Sequence, residues 1–208
     1  EQLAILSAGT FANVLTAIIG LFVFWGFFAL AFAPAGVQFD NYAYGVTPLS
    51  SITMVNGVSL ENPNYELVIG LFEDVGYNQV EIGELSYITK KEFLENQKSK
   101  EIVALYSDAP AIRSGIGNVI TSINGEEILS REDLTVELEK FSVGEEVTLT
   151  SIKEGEAVED TITLGQHPED PTKPWVGIVF YQQGGEGMLG KLNSWFTSFK
   201  EPSVYYEA

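Results

Sequence analysis

Cysteine is missing from all 208 residues, so the chain has no disulfide framework and no thiol chemistry. Histidine is almost missing. His167 is the only one, in a proline-rich connection (Gly165-Gln-His-Pro-Glu-Asp-Pro171), and no Cys or second His stands by to complete a metal site. The same scarcity defeats a Ser-His-Asp arrangement, and there is no Gly-x-Ser-x-Gly elbow and no His-Glu-x-x-His. The segment is therefore expected to hold no catalytic residue, no metal and no cofactor. Basic residues are few: 11 Lys and Arg against 29 Asp and Glu, a net charge of −18 and a pI near 4.2. Nucleic acid is excluded as a partner, because phosphate contacts need cationic patches, and the acidity reads as solubility. The first residue is Glu1 rather than Met, and the chain is expected to be a piece of something longer.

Charge of either sign is also lacking between Glu1 and Asp40. Phe11 to Ala35 is a run of about 25 mostly apolar residues, long enough to cross a hydrocarbon core of roughly 30 Å as a helix. Residues 1–36 are expected to be a transmembrane helix ending at Pro34-Ala-Gly36. A signal peptide would have a shorter apolar region preceded by Lys or Arg, and a buried core helix is the remaining alternative. Gly9, Asn13 and Ala17 recur every fourth residue, on the small, hydrogen-bonding side of the helix start, where a neighbouring membrane helix can approach closely.

Past the membrane, Ile102 to Gly165 reads as one small mixed domain. Pro110 suits a helix start, Val119 to Ile123 alternates as a strand, and Asn124-Gly125 marks a tight turn. Ser130 with Asp133 makes a capping pair ahead of Leu134, Leu138 and Phe141. Val147, Leu149, Ile162 and Leu164 alternate as two more strands around Glu154-Gly155. Laying Ile52 on Ile120 reveals an internal echo: Ile52-Thr-Met-Val55-Asn56-Gly57 falls on Ile120-Thr-Ser-Ile123-Asn124-Gly125, Asn62 on Ser130 as an N-cap, and Gly76 on Gly144. Chance similarity of two Asn-Gly hairpins is the alternative. Thr89 to Lys100 (TKKEFLENQKSK) reads as a solvated helix or linker, and Pro168 to Pro174 as a stiff connection. Trp175-Val-Gly-Ile-Val-Phe180 reads as a buried or edge strand. Met188, Leu189, Leu192, Trp195, Phe196 and Phe199 fit one face of an amphipathic helix, suited to the membrane interface or to packing on the soluble part.

The words Asp108-Ala-Pro-Ala111, Gly115-Ile116, Gly117-Asn-Val-Ile-Thr-Ser-Ile123-Asn-Gly125 and Asp133-Leu134, in that order, resemble a PDZ domain of the bacterial and archaeal protease type. The phrase Ala8-Gly9-Thr10-Phe-Ala12-Asn13-Val-Leu-Thr-Ala17, opening a membrane helix one step before such a domain, resembles the site-2 protease family of intramembrane zinc metalloproteases. The resemblance implies a membrane-anchored α+β fold: a transmembrane helix (1–36), a degenerate PDZ-like domain (37–97), a clear PDZ domain (98–182), both partly open β-barrels, and an amphipathic juxtamembrane helix (183–208). It further implies a membrane location with the PDZ region on the extracytoplasmic side, membrane-anchored protein substrates or peptides as partners, and zinc in the parent protein, outside this segment. A PDZ-like groove would lie between Ile102, Val103, Ala104 and Leu105 and the helix bearing Leu134 and Leu138, with an extended peptide adding as a strand. No apolar-Gly-apolar loop of the kind that captures a terminal carboxylate stands just upstream of Ile102, so a purely steric gate is left open beside peptide binding. Two other readings are a membrane-tethered PDZ adaptor without a protease and the PDZ region of a membrane-anchored serine protease.

Overall fold

The computed structural model describes residues 2–98, 101–181 and 203–208. The charge-free run forms one unbroken helix, α1 (Gln2–Ala31), because nothing in it costs a helix a capping group or a buried charge. Gly9–Ala31 is long and apolar enough to cross a bilayer, and none of it is buried against the rest of the chain. Phe32 alone separates α1 from strand β1 (Ala33–Gln38). β2 (Asn41–Tyr42), β3 (Tyr44–Pro48), β4 (Met54–Val55), β5 (Val58–Ser59), α2 (Tyr65–Gly70), β6 (Asn78–Ile82), β7 (Leu85–Thr89), α3 (Lys91–Glu95) and β8 (Ile102–Ser107) follow. Next come α4 (Pro110–Ser114), β9 (Val119–Ile123), β10 (Glu126–Glu127), α5 (Arg131–Leu138), β11 (Glu146–Lys153), β12 (Glu156–Thr163), β13 (Gly165–Gln166), β14 (Pro174–Trp175), β15 (Ile178–Val179) and, at the end, β16 (Val204–Glu207).

Two antiparallel sheets divide the chain, and neither closes into a barrel among the described residues. One has the order β12-β11-β9-β1-β16, with β10 on β9; the other runs β3-β8-β7-β6-β4-β5. Each covers its own core. Ile120, Ile123, Leu134, Leu149 and Leu164 anchor one, and Ile52, Val55, Val68, Val103 and Leu105 the other. The modules are nested rather than consecutive: β1 and β2 serve the later module, the chain leaves to build the earlier one over residues 44–107, and then returns through α4. The boundary expected at residues 97/98 falls between α3 and β8, inside one sheet. The two crossing points lie side by side, with the Ser107 N–H donating to the Ala43 carbonyl at 2.8 Å. A third small core of Ile88, Ala109 and Ile112, flanked by Tyr42, Tyr77, Tyr106 and Trp175, fills the seam.

The internal echo is present in three dimensions. Asn56 and Asn124 both adopt left-handed backbone (φ 48° and 49°), followed by Gly57 and Gly125 at 81° and 85°, a pairing that glycine makes inexpensive. Each Asn carboxamide oxygen then accepts from the next strand of its own sheet, from Gln79 N–H at 2.9 Å and from Thr148 N–H at 2.8 Å. Gly76 and Gly144 match as well, with φ of 85° and 82°. One detail differs from expectation. Asn62 is itself left-handed (φ 53°), and Asn64 caps α2 by accepting from Leu67 N–H at 3.0 Å. Within Thr89 to Lys100, read as a solvated helix or linker, a helix does form, but it carries Leu94, completely buried in the earlier core. The expected amphipathic helix over Met188 to Phe199 lies outside the described residues.

Candidate functional site

A groove runs between α5 and the strand segment that follows Pro174. α5 starts where it does because Ser130 Oγ accepts from Asp133 N–H at 3.1 Å while the Asp133 carboxylate accepts from Leu129 N–H at 3.2 Å, a reciprocal cap. That start places Arg131, Leu134, Thr135 and Leu138 on one face, by the i, i+3, i+4, i+7 rule. Leu134 is buried; Leu138 is half-buried against the same core, and Arg131 and Thr135 are exposed.

The opposite wall is Trp175-Val176-Gly177-Ile178, continuing to Phe180. Gly177 is demanded here twice over. Its φ is 92°, and a Cβ built on it would stand 2.1 Å from the Ala109 Cβ. Ala111 N–H, at the start of α4, donates to the Val176 carbonyl at 2.9 Å and pins the bend. Beyond it, the Gly177 and Val179 carbonyls accept from Ala43 and Asp40 N–H at 2.8 and 3.1 Å. Along a strand, backbone groups alternate in direction. The amide and carbonyl groups of Ile178 are therefore directed away from β2, and among the described residues β15 has β2 as its sole sheet neighbour. The space enclosed is about 300 Å³.

The two ends of the groove differ chemically. At one, the Arg131 guanidinium lies 4.8 Å over the centre of the Phe180 ring. At the other stand Lys173, Trp175 and His167, whose ring meets Trp175 edge-on at 6.2 Å. His167 Nδ1 accepts from Glu169 N–H at 3.2 Å. The turn before Lys173 is held by Asp170, whose carboxylate accepts from the Thr172 hydroxyl at 2.6 Å and from its N–H at 3.2 Å. Those bonds hold the Asp170 carboxyl below its ordinary range.

The residues singled out from sequence fall in two places. Leu134 and Leu138 line the groove just described. Ile102, Val103, Ala104 and Leu105 lie on β8 in the other sheet, with Val103 and Leu105 sealed in the earlier core; the structure does not bring the two sets together. Beside β8 the corresponding cleft is narrowed but not filled: about 270 Å³ remains, bordered by Tyr44, Phe93, Gln97, Ala104, Leu105 and Tyr181. α3 lies between α2 and β8, and Gln97, just past it, imitates a strand: its Oε1 accepts from Ala104 N–H at 2.7 Å and its Nε2 donates to the Ala104 carbonyl at 3.2 Å. Lys98 joins this stretch to α2, pairing with Glu66 at 3.5 Å and lying over the Tyr65 ring. The opposite wall, Trp175 to Phe180, was read from sequence as a buried or edge strand but not as part of a site. Its signal was Val176-Gly177-Ile178, an apolar-Gly-apolar word standing downstream of the domain rather than upstream. Gly9, Asn13 and Ala17 sit one turn apart on the exposed surface of α1. Among the described residues no group of three His, Cys, Asp or Glu could hold a metal ion, and the surroundings of His167 do not fit zinc.

No protein-family model matches the chain. Over 70 residues, 33% of the chain, it is 40% identical to the zinc metalloprotease RasP of Shouchella clausii, a match spanning 16% of that protein. Over 82 residues, 38% of the chain, it is 32% identical to probable periplasmic serine endoproteases, DegP-like, of Brucella suis and Brucella abortus, again spanning 16% of each. The likeness is thus partial and reaches proteases of two kinds.

Proposed function

We propose that the chain is the non-catalytic, PDZ-like extracytoplasmic region, with its adjoining membrane helix, of an intramembrane zinc metalloprotease of the site-2 type, and that it recognises or screens membrane-anchored substrates before they are cut. The observation that carries this reading is the edge of β15 at Ile178, without a second strand partner among the described residues, across a groove from the apolar Leu134 and Leu138 of α5. An extended peptide entering there gains main-chain hydrogen bonds along the edge, and its terminal carboxylate meets the amides of the bend. The match to a zinc metalloprotease supports the choice of parent, whose metal would be held by residues beyond this chain. Attachment supports the placement. Phe32 alone joins α1 to β1, Phe28 meets Tyr206 edge-on at 5.2 Å, and Ala33 pairs with Glu207, so β1 and β16 both lie beside the end of α1.

The test titrates the detergent-solubilised chain with short peptides ending in Val or Leu, each made with a free carboxylate and with a terminal amide. Saturable binding of the free acids alone is expected, and it is lost in Thr135→Trp, which fills the groove from an exposed helix position without touching the core. Equal binding of acid and amide, or binding indifferent to Thr135→Trp, would refute the reading.

A further inference from the structure

The two Asn-Gly turns that echo one another take no part in the groove, and they share a reactivity. The backbone nitrogen after an Asn is placed to attack that residue's side-chain carbonyl carbon, and glycine leaves the nitrogen unshielded. The nitrogen loses its proton and bonds to the carbon, and the side-chain nitrogen departs as ammonia. Water then opens the five-membered imide at either carbonyl, giving Asp or isoaspartate. No oxidant or reductant enters. Both turns present the nucleophile: Asn56-Gly57 and Asn124-Gly125 are exposed, and among the described residues neither the Gly57 nor the Gly125 N–H donates to another backbone group. Asn62 is left-handed as well, but Pro63 follows it and has no N–H to lose.

The turns differ in how the carboxamide is held. Asn124 is held at one point, its Oδ1 accepting from Thr148 N–H at 2.8 Å, and among the described residues its Nδ2 has no partner. Asn56 is held at three. Its Oδ1 accepts from Gln79 N–H at 2.9 Å, and its Nδ2 donates to the Leu71 carbonyl at 3.0 Å and to Asn78 Oδ1 at 2.8 Å. Asn78 cannot easily yield. It is buried, its Oδ1 accepts from Glu73 N–H at 2.7 Å, and its Nδ2 donates to the Glu73 carbonyl at 3.1 Å. A carboxamide must swing off its partners to meet the glycine nitrogen, so Asn56 gives up three hydrogen bonds and Asn124 only one. We infer that Asn124 is a site of spontaneous deamidation and isoaspartate formation in the folded protein, and that the Leu71 and Asn78 bonds protect Asn56 from the same chemistry. Isoaspartate adds one carbon to the backbone between β9 and β10, just ahead of α5, so the later module is the one that ages at its turn. The inference is independent of the groove reading.

The experiment incubates the detergent-solubilised chain at mildly alkaline pH and follows both turns by peptide mass spectrometry, with isoaspartate detected by enzymatic methylation of its carboxyl group. A parallel sample is unfolded in urea. Each Asn follows a β-branched residue, Val55 or Ile123, and precedes Gly, so the two turns should convert at equal rates in urea and any difference in the folded chain belongs to the structure. Asn124 is expected to convert about tenfold or more faster than Asn56 in the folded chain, the scale of two additional hydrogen bonds. Equal rates at the two turns of the folded chain, or faster conversion at Asn56, would overturn the inference. So would conversion of neither turn in the folded chain over a period in which both convert in urea, since the single bond to Thr148 would then be protection enough.

Discussion

Tyr42 stands at the seam, bonded within the later module through its hydroxyl and touching the earlier one through its ring. Its hydroxyl donates to the Ile116 carbonyl at 2.6 Å, while its ring packs edge-on to Tyr106 and tilted against Phe39. Tyr42→Phe keeps the packing and leaves that carbonyl unpaired, so a loss of about 1 kcal/mol in unfolding free energy is expected from denaturant titration of the soluble part. Burial pushes the phenols of Tyr42, Tyr77 and Tyr106 above their ordinary value, with neighbouring tyrosines adding to the effect at Tyr42 and Tyr106. The sign follows: a proton is held more tightly in the folded than in the unfolded state. Their contribution is complete below the ordinary tyrosine value of about 10 and is lost as pH climbs through the raised values. Unfolding midpoints measured between neutral and strongly alkaline pH should fall beyond that point, and Tyr42→Phe should flatten the fall. Asp170 works in the opposite direction. Its lowered carboxyl favours the folded turn above the ordinary carboxylate range, and that support disappears as pH drops through the lowered value.

At the scale of elements, the cleft beside β8 differs from the one beside α5 in that the Gln97 side chain holds the backbone of Ala104. Gln97→Ala removes both bonds to Ala104. Amide exchange at Ala104 should then quicken severalfold while Val103 and Leu105 keep their protection; unchanged exchange at Ala104 would mean that Gln97 does not seal the edge. Leu94→Ala, at a completely buried site on α3, should cost about 2–4 kcal/mol by denaturant titration. Elements whose causes are local were legible in the sequence. The Asn-Gly turns, the Ser130 cap of α5 and Pro110 at the start of α4 each depend on residues within three or four positions. Elements whose partners are distant were not. Nothing in Ile102 to Leu105 says that the strand joins β3 and β7, since its alternation suits either sheet, and Val176-Gly177-Ile178 becomes a groove wall only because Ala109 and Ala111, some 65 positions earlier in the chain, grip its bend. α3 misled because its sequence is polar except for Phe93 and Leu94, and a single buried leucine is too weak a periodic signal to separate a packed helix from a solvated one.

For the molecule as a whole, nesting makes a specific demand. Because Ala43 and Ser107 already touch, the earlier module can be excised by joining Ala43 to Asp108 through a short Gly-Ser bridge, and β1, β9, β11 and β12 should still pair around their own core. The excised form is expected to fold with a lower midpoint, having lost Ile88 and Tyr106 from the seam, and to keep the groove beside α5. If the chain belongs to a site-2-type protease as proposed, the same excision in that protease separates recognition from bulk: an unchanged range of substrates assigns selection to the groove, while a widened range assigns it to the size of the earlier module. Both outcomes presuppose a groove that takes an extended chain end. The most direct test is residue-resolved amide exchange of the detergent-solubilised chain with and without a saturating free-acid peptide ending in Val. The account predicts new protection at Ile178 and Phe180, with slower exchange along α5, and no change at Ala104; protection confined to β8 and α3, or none at Ile178 and Phe180 despite saturation, would contradict it.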